Sequence, residues 1–186
     1  RYTDGAALRM SSSNMLISNS YFFHIDTSVA DNTGLQTTIQ MDGNSNIIQY
    51  CTMHRLGASA TINPGNNAIV EYNDIYDTGL LQSDGAISQM MVGQQPGAVV
   101  RYNWFHDTIK YGARFDGNGD GTNGTMHHNV LWNCGKGIMI KGYNHNVFSN
   151  TAFNNQNEVN GNDIIIMIEQ GGNTGTRTIN NAANRI

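Results

Sequence analysis

Three charged side chains near the middle of the chain are spaced so that they could act together on one substrate. Arg114 and Asp116 lie in the segment GARFD, and alignment with the similar segment GIMIK places Lys141 beside Asp116. A lyase acting on a uronic-acid polymer needs a cation for the sugar carboxylate and a base for the C5 proton, and arginine, lysine and histidine can fill these roles. We therefore predict Arg114 as carboxylate partner, Lys141 as base and His127 as a further catalytic residue. A surface ion pair between Asp116 and Lys141 is the simpler alternative.

The stretch DGNGDGTNG, residues 116–124, has the spacing of a cation loop. Asp116, Asn118 and Asp120 alternate and are followed by glycine, as in the first half of a calcium-binding loop. The bidentate glutamate expected at the twelfth position is absent. This pattern predicts Ca²⁺ as the one cofactor, with a glycine-rich connection as the alternative. Because Asp116 cannot easily serve both a cation and Lys141, the calcium and lyase hypotheses compete.

Asn123 begins the sequon Asn123-Gly124-Thr125, which is the only N-x-[ST] motif in the chain. Its place in a glycine-rich loop predicts the exposure that glycosylation requires. We therefore predict Asn123 as a glycosylation site if the chain is secreted through a eukaryotic pathway.

A repeated unit must position these residues. Short apolar segments recur at spacings of 21 to 32 residues, each with a polar residue at one aligned position, and these positions are Asn19, Cys51, Asn73, Asn103, Asn129, Asn150 and Asn181. Such periods with strand-like units indicate a solenoid. The alternation within each segment predicts three short strands per turn, and the asparagines are expected to stack as an internal ladder at corners with left-handed backbone angles.

These repeated hxxNxhxxN-like units resemble the right-handed parallel β-helix superfamily, the pectate-lyase-like fold, over nearly the whole chain. The resemblance implies an all-β, right-handed parallel β-helix of about seven turns with an internal asparagine ladder. It is specific for fold rather than function, because that superfamily includes polysaccharide lyases, glycoside hydrolases, epimerases, phage tailspikes and surface proteins. We predict one domain over 1–186, and the missing start methionine and polar caps suggest a fragment or mature part of a longer chain.

Two outward stripes follow from the aligned register. Glu71 and Arg101 stand two positions before the asparagine on adjacent turns, where they could bind substrate or form an exposed cross-strand pair. Three positions after it stands an aromatic stripe of Phe22, His54, Tyr76, His106, Trp132 and Phe153. We predict Tyr76, His106 and Trp132 as substrate-binding residues that contact sugar rings, with a protein interface as the alternative. The same register predicts that His128 faces inward, as do Tyr50, Tyr72 and Tyr102.

Composition narrows the function classes. The formal net charge is −4 and no basic stripe occurs, which argues against nucleic-acid binding, and the longest apolar run, 164–168, is too short to span a bilayer. Two hypotheses remain for an extracellular or cell-surface protein. One is a carbohydrate-active module, lyase-like on an acidic polysaccharide. The other is a non-catalytic structural or adhesive subunit of a filament or appendage whose partners are copies of the same or a related chain. The residues do not decide whether the protein is an enzyme.

Overall fold

The computed structural model describes residues 6–27, 36–82, 84–90, 96–116, 123–141, 144–155 and 164–166. The described part of the chain contains strands but no helix. The strands are β1 (Leu8–Met10), β2 (Leu16–Ser18), β3 (Tyr21–Ile25), β4 (Thr37–Met41), β5 (Ile47–Gln49), β6 (Thr52–Leu56), β7 (Ala60–Asn63), β8 (Ile69–Glu71), β9 (Asp74–Thr78), β10 (Ala86–Met90), β11 (Val99–Arg101), β12 (Trp104–Phe115), β13 (Thr125–His127), β14 (Val130–Ile140), β15 (Asn146–Phe148), β16 (Thr151–Phe153) and β17 (Ile164–Ile166).

The strands coil into a parallel β-helix, which confirms the predicted fold class. One six-stranded sheet has the order β15-β13-β11-β8-β5-β2, and the other eleven strands form a second sheet that wraps two sides of the coil. Every pairing between the described strands is parallel, and each described turn of chain passes once through the six-stranded sheet and twice through the larger one. The predicted three strands per turn are therefore present.

The long strands β12 and β14 join the two sides of the larger sheet. Their first halves pair with each other beside β9 and β16, and their second halves pair beside β10 and β17. The register shifts between Thr108 and Tyr111, where the strand bends. The sequence pattern had predicted two separate short strands here, but the connection is so short that the hydrogen-bond ladder continues around the bend.

Alternating side chains fill the interior of the coil. In the six-stranded sheet the middle residue of each strand points inward, and Ile48, Val70, Val100, Met126 and Val147 are fully buried. Burial of such side chains stabilises the fold by about 1.5–3 kcal/mol each, so the stacked apolar columns hold successive turns together. Both cysteines are free and buried.

The corners depend on single residues with left-handed backbone angles. Apart from Asp26, the described non-glycine residues with these angles lie in three columns: Asn14, Ser45, Asn67, Asn123 and Asn144 in the first, Asn19, Tyr50, Tyr72, Tyr102, His128 and Ser149 in the second, and His24, Arg55, Asp77, Asp107, Asn133 and Asn154 in the third. The conformation costs roughly 1–2 kcal/mol for most residues and least for Asn, Asp and Gly. The prediction that the ladder asparagines themselves adopt it holds for Asn19 and was wrong for Asn73, Asn103, Asn129 and Asn150, because the residue before each of these four makes the turn.

The asparagines next to the second column bond to one another inside the coil. The side-chain amide of Asn73 donates to Oδ1 of Asn103 at 3.0 Å, Asn103 donates to Asn129 at 2.9 Å, and Asn129 donates to Asn150 at 2.9 Å. Each amide also donates to a main-chain carbonyl one turn away, such as Val70 O from Asn103. These bonds remove the cost of burying the polar side chains.

The first turn departs from the predicted register by one residue. Ser18 pairs with Gln49 and Tyr21 pairs with Thr52, so Ser20, not Asn19, lies beside Cys51 in the ladder position. Asn19 occupies the left-handed corner, where asparagine is well tolerated.

The six strands of the smaller sheet mark six successive turns. The seventh predicted segment, around Asn181, lies outside the described residues. Within the described ranges, no helix is long and apolar enough to cross a membrane.

Candidate functional site

Six rings stack along the outside of the larger sheet in an aromatic column of Phe23, His54, Tyr76, His106, Trp132 and Phe153. The His54–Tyr76, Tyr76–His106 and His106–Trp132 centroids are 4.7, 4.8 and 4.0 Å apart, with planes within 10° of parallel. The column continues to Phe153 and Phe23 at the two ends. The predicted stripe is therefore present, except that the first-turn register places Phe23 in it and Phe22 against the core.

The stacking determines which ring surfaces a ligand can reach. Because Tyr76, His106 and Trp132 lie face to face with their neighbours, they offer edges and polar tips rather than faces to solvent. Trp104 is different: it is 57% exposed, and the residues paired with it in its own column are Asp74 and Val130 rather than rings. Its indole meets Trp132 edge-on at 6.3 Å, so it offers a flat apolar surface to a ligand.

His106 lies between two carboxylates beside Trp104. Its Nε2 is 3.0 Å from Oδ1 of Asp74, and its Nδ1 is 2.6 Å from Oδ2 of Asp107. The amide of Asn133 donates to the other oxygen of Asp107, and that hydrogen bond together with His106 lowers the pKa of Asp107. The arrangement keeps a carboxylate ionised at the surface. We call the outward residues of β3, β6, β9, β16 and the first halves of β12 and β14 the aromatic face.

A second stack, the tyrosine column of Tyr50, Tyr72, Tyr102 and His128, follows the second left-handed corner. The three tyrosines are 5.0 Å apart and within 6° of parallel, and His128 follows at 5.1 Å. The prediction that these residues face inward was wrong, since all four are exposed. A left-handed residue ends one strand and reverses the alternation that had been used to assign the faces. Tyrosine is also a poor choice for this backbone, so the column combines strain with ring contact.

The predicted pair Glu71 and Arg101 lies on the six-stranded sheet. Arg101 Nε is 2.6 Å from Glu71 Oε2 on the adjacent turn. His127 occupies the next position in this stripe, where it stacks on Phe148 at 4.8 Å and its Nδ1 is 2.7 Å from Nδ1 of His128. Burial, His128 and Arg101 lower the pKa of His127. Glu71, Arg101 and His127 are thus on a different sheet from the aromatic column.

A charged cluster of Asp84, Gln89, Arg114, Asp116 and Lys141 forms at the second halves of β12 and β14. Lys141 Nζ is 2.9 Å from Asp116, and Arg114 is 3.1 Å from both Asp116 and Asp84. Arg114 Nε also donates to the buried Gln89. The structure therefore brings Arg114 and Lys141 together, as the sequence predicted, and places Asp116 between them. His127 belongs to the other sheet and joins none of these contacts.

Lys110 was missed by the sequence reasoning. It lies in the bend of β12, is almost fully buried, and donates to the carbonyls of Ser59 at 2.9 Å and Asp84 at 2.7 Å. Burial lowers its pKa to about 7, while the carbonyl contacts favour the ammonium form. The feature of the sequence that could have identified it is a lysine within a strand segment of alternating apolar residues. Its contacts indicate that it ties the loops around Ser59 and Asp84 to the coil.

The predicted cation loop is only partly described. Asp116 is in ion pairs with Lys141 and Arg114, whereas Asn118 and Asp120 lie outside the described residues. Among the described residues, no group of three or more His, Cys, Asp or Glu side chains could hold a metal. The predicted glycosylation site Asn123 is exposed and adopts a left-handed corner conformation.

Comparison with known proteins gives one family. A family model described as a right-handed β-helix region matches residues 2–153. No curated protein and no solved structure matches the chain significantly. The match covers most of the chain and agrees with the parallel pairing of its strands.

Proposed function

This chain belongs to the right-handed β-helix family, and from that premise we propose that it binds a polysaccharide along its aromatic face. The observation that carries the proposal is Trp104, whose indole is 57% exposed beside a continuous column of rings. The apolar C–H face of a sugar packs well on such a surface, while hydroxyl groups pair with polar groups at its edge.

The polar rim of the aromatic face suits hydroxyl recognition. The ring edges of His106 and Tyr76 and the carboxylates of Asp74 and Asp107 supply donors and acceptors beside the indole. Six strands at about 4.8 Å spacing extend the face over about 24 Å, so an extended chain of several sugars can lie along the coil axis. In this role Tyr76, His106 and Trp132 contribute edges and the support of the column rather than stacking faces.

The role implies a place where polysaccharides occur, so we propose an extracellular or cell-surface location. The predicted Glu71–Arg101 pair takes no part in this binding, because it lies on the other sheet and satisfies its own charges.

Trp104→Ala tests the proposal. Because the variant removes an exposed indole and leaves the column in place, we expect the dissociation constant for a bound polysaccharide to rise about tenfold or more. Affinity electrophoresis or calorimetry on a panel of neutral, amino and acidic polysaccharides would measure it. Phe148→Ala is the matched control, since Phe148 is an exposed aromatic residue on the other sheet. Binding that is lost equally in both variants, or in neither, would contradict the proposal.

A catalytic extension is the second candidate, carried by the meeting of Arg114 and Lys141 on one carboxylate. The pair could receive the carboxylate of a uronic acid only after Asp116 has released both cations. We therefore favour binding without lyase chemistry. Absorbance from unsaturated sugar ends, produced from uronic-acid polymers with and without calcium and lost in Lys141→Ala but not in Arg9→Ala, would establish the lyase instead.

The competing structural role, in which copies of the chain contact one another, makes a different prediction. A filament or appendage subunit would bury Trp104 and Phe153 between copies. Sedimentation of the wild type and of Trp104→Ala separates the two roles, because a glycan-binding face leaves the oligomeric state unchanged.

A further inference from the structure

The aromatic face carries a net negative charge in addition to its exposed rings. Its outward and corner positions hold three aspartates, Asp74, Asp77 and Asp107, against one arginine, Arg55, which leaves a formal charge of −2 with the histidines neutral. No lysine occurs at the described outward positions of this face. A uronic-acid polymer would therefore meet like charge along the proposed binding surface.

The negative charge lies next to the exposed indole. Trp104 and Asp74 are direct partners on adjacent parallel strands, so their Cα atoms are separated by about one strand spacing, about 4.8 Å. The Asp74 side chain is 39% exposed, and its contact with His106 uses Oδ1. Asp107, 46% exposed, lies three residues beyond Trp104 on the same strand. An aromatic surface bordered by carboxylates is the combination that attracts an organic cation.

We propose that the aromatic face selects a polysaccharide of amino sugars whose free amines are protonated, with the ammonium group held between the Trp104 indole and the Asp74 carboxylate. This inference rests on the proposed function and names its ligand class. A sugar ring packs on the indole in any glycan, whereas the carboxylates favour only the sugar that carries a positive charge. The preference is expected to weaken with added salt, because Asp74 and Asp107 are partly exposed.

The test compares three oligosaccharides of equal length: a glucosamine oligomer, its fully N-acetylated counterpart and a galacturonate oligomer. Calorimetry is run near pH 7, the condition for which the formal charge of −2 is counted and at which part of the amines is protonated. We expect the glucosamine oligomer to bind most tightly and the galacturonate oligomer least. Asp74→Asn should weaken glucosamine binding roughly fivefold, as for loss of a partly exposed charge pair, and should weaken binding of the N-acetylated oligomer less, because the asparagine carbonyl still accepts a hydrogen bond from a hydroxyl group. Asp84→Asn is the control, because Asp84 is an exposed aspartate outside this face.

The results distinguish failure of the amino-sugar inference from failure of the proposed polysaccharide binding. Equal binding of the glucosamine and N-acetylated oligomers, or tighter binding of galacturonate, would overturn the amino-sugar inference while Trp104→Ala still weakens all binding. An unchanged glucosamine affinity in Asp74→Asn would also overturn it. If no oligomer binds and polysaccharide panels show no effect of Trp104→Ala, the proposed function itself fails.

Discussion

On the aromatic face Trp104 is 57% exposed and its neighbour Asp74 is partly open to solvent, whereas in the charged cluster the Arg114 side chain is 8% exposed and contacts three polar residues. Both regions are built by β12, the first by its opening residues and the second by its closing ones. One strand thus presents an open apolar surface before its bend and a closed polar network after it.

The difference shows that convergence of charged residues is not by itself a site. Arg114, Asp116 and Lys141 form a group of three charged residues that the sequence predicted, yet they satisfy one another. Trp104 has weaker contacts and was not singled out, but its face is available. Charges that neutralise each other stabilise the coil, while an exposed ring without a stacking partner can serve a ligand.

The largest expected effect is a loss of stability in acid at the buried His145, which stacks on a ring with almost the same geometry as the outer His106. His106 lies 4.0 Å from Trp132 outside the coil, and His145 lies 3.9 Å from Phe115 inside it. The Gly124 N–H donates to Nδ1 of His145, and burial lowers the pKa of His145 to about 4. As the pH falls, His145 is protonated in the unfolded chain before it is protonated in the folded one. Its contribution to the free energy of unfolding is therefore complete above the ordinary histidine pKa of about 6.5 and falls by about 3 kcal/mol as the pH drops toward 4.

His145→Asn should remove that acid sensitivity. Asn46 occupies the same register position and accepts the Met15 N–H in the same way, so asparagine keeps the acceptor and cannot titrate. Urea unfolding at several pH values measures the effect. If the free energy of unfolding of the variant fell with pH as steeply as that of the wild type, the buried His145 would not be the cause of the acid sensitivity.

The next effect tests whether the charged cluster is structural. Arg114→Met leaves Gln89 and Asp116 without one partner, and we expect a loss of about 2 kcal/mol in the free energy of unfolding with glycan affinity unchanged. Arg9→Met is the matched control, because Arg9 occupies the same register position four turns earlier, 69% exposed, and should cost under about 1 kcal/mol. If Arg114→Met weakened glycan binding and Arg9→Met did not, the charged cluster would take part in binding and would not be purely structural.

The smallest effect measures what holds the strained tyrosine column. Tyr72 contacts two tyrosines and Tyr50 contacts one, and both have a φ of 54°. Asparagine at either position relieves the same backbone strain, so the backbone contribution cancels between Tyr72→Asn and Tyr50→Asn. We expect Tyr72→Asn to be less stable than Tyr50→Asn by about 1 kcal/mol, because it loses one more ring contact. Equal stability in chemical denaturation would mean that the stacking contributes nothing.

The sequence alone determined the coil and much of its outer pattern. Regular spacing of apolar segments predicted the parallel β-helix, because each alternating strand needs a neighbour to bury its inner face. The same alignment predicted the aromatic column and placed Glu71 beside Arg101 and Asp116 beside Lys141. These features depend only on which residues share a repeat position, and repeat position can be read from the sequence.

The tertiary structure decided what each position does. One-residue offsets at left-handed corners place Ser20 in the ladder and turn Tyr72 outward, and alternation cannot reveal them because a corner residue resets the face. Whether Trp104 offers a face or an edge depends on the side chains one turn above and below. The role of Lys110 depends on carbonyls of residues more than 20 positions away. Such contacts exist only after the turns are stacked, because exposure and pairing are properties of neighbours in space rather than in sequence.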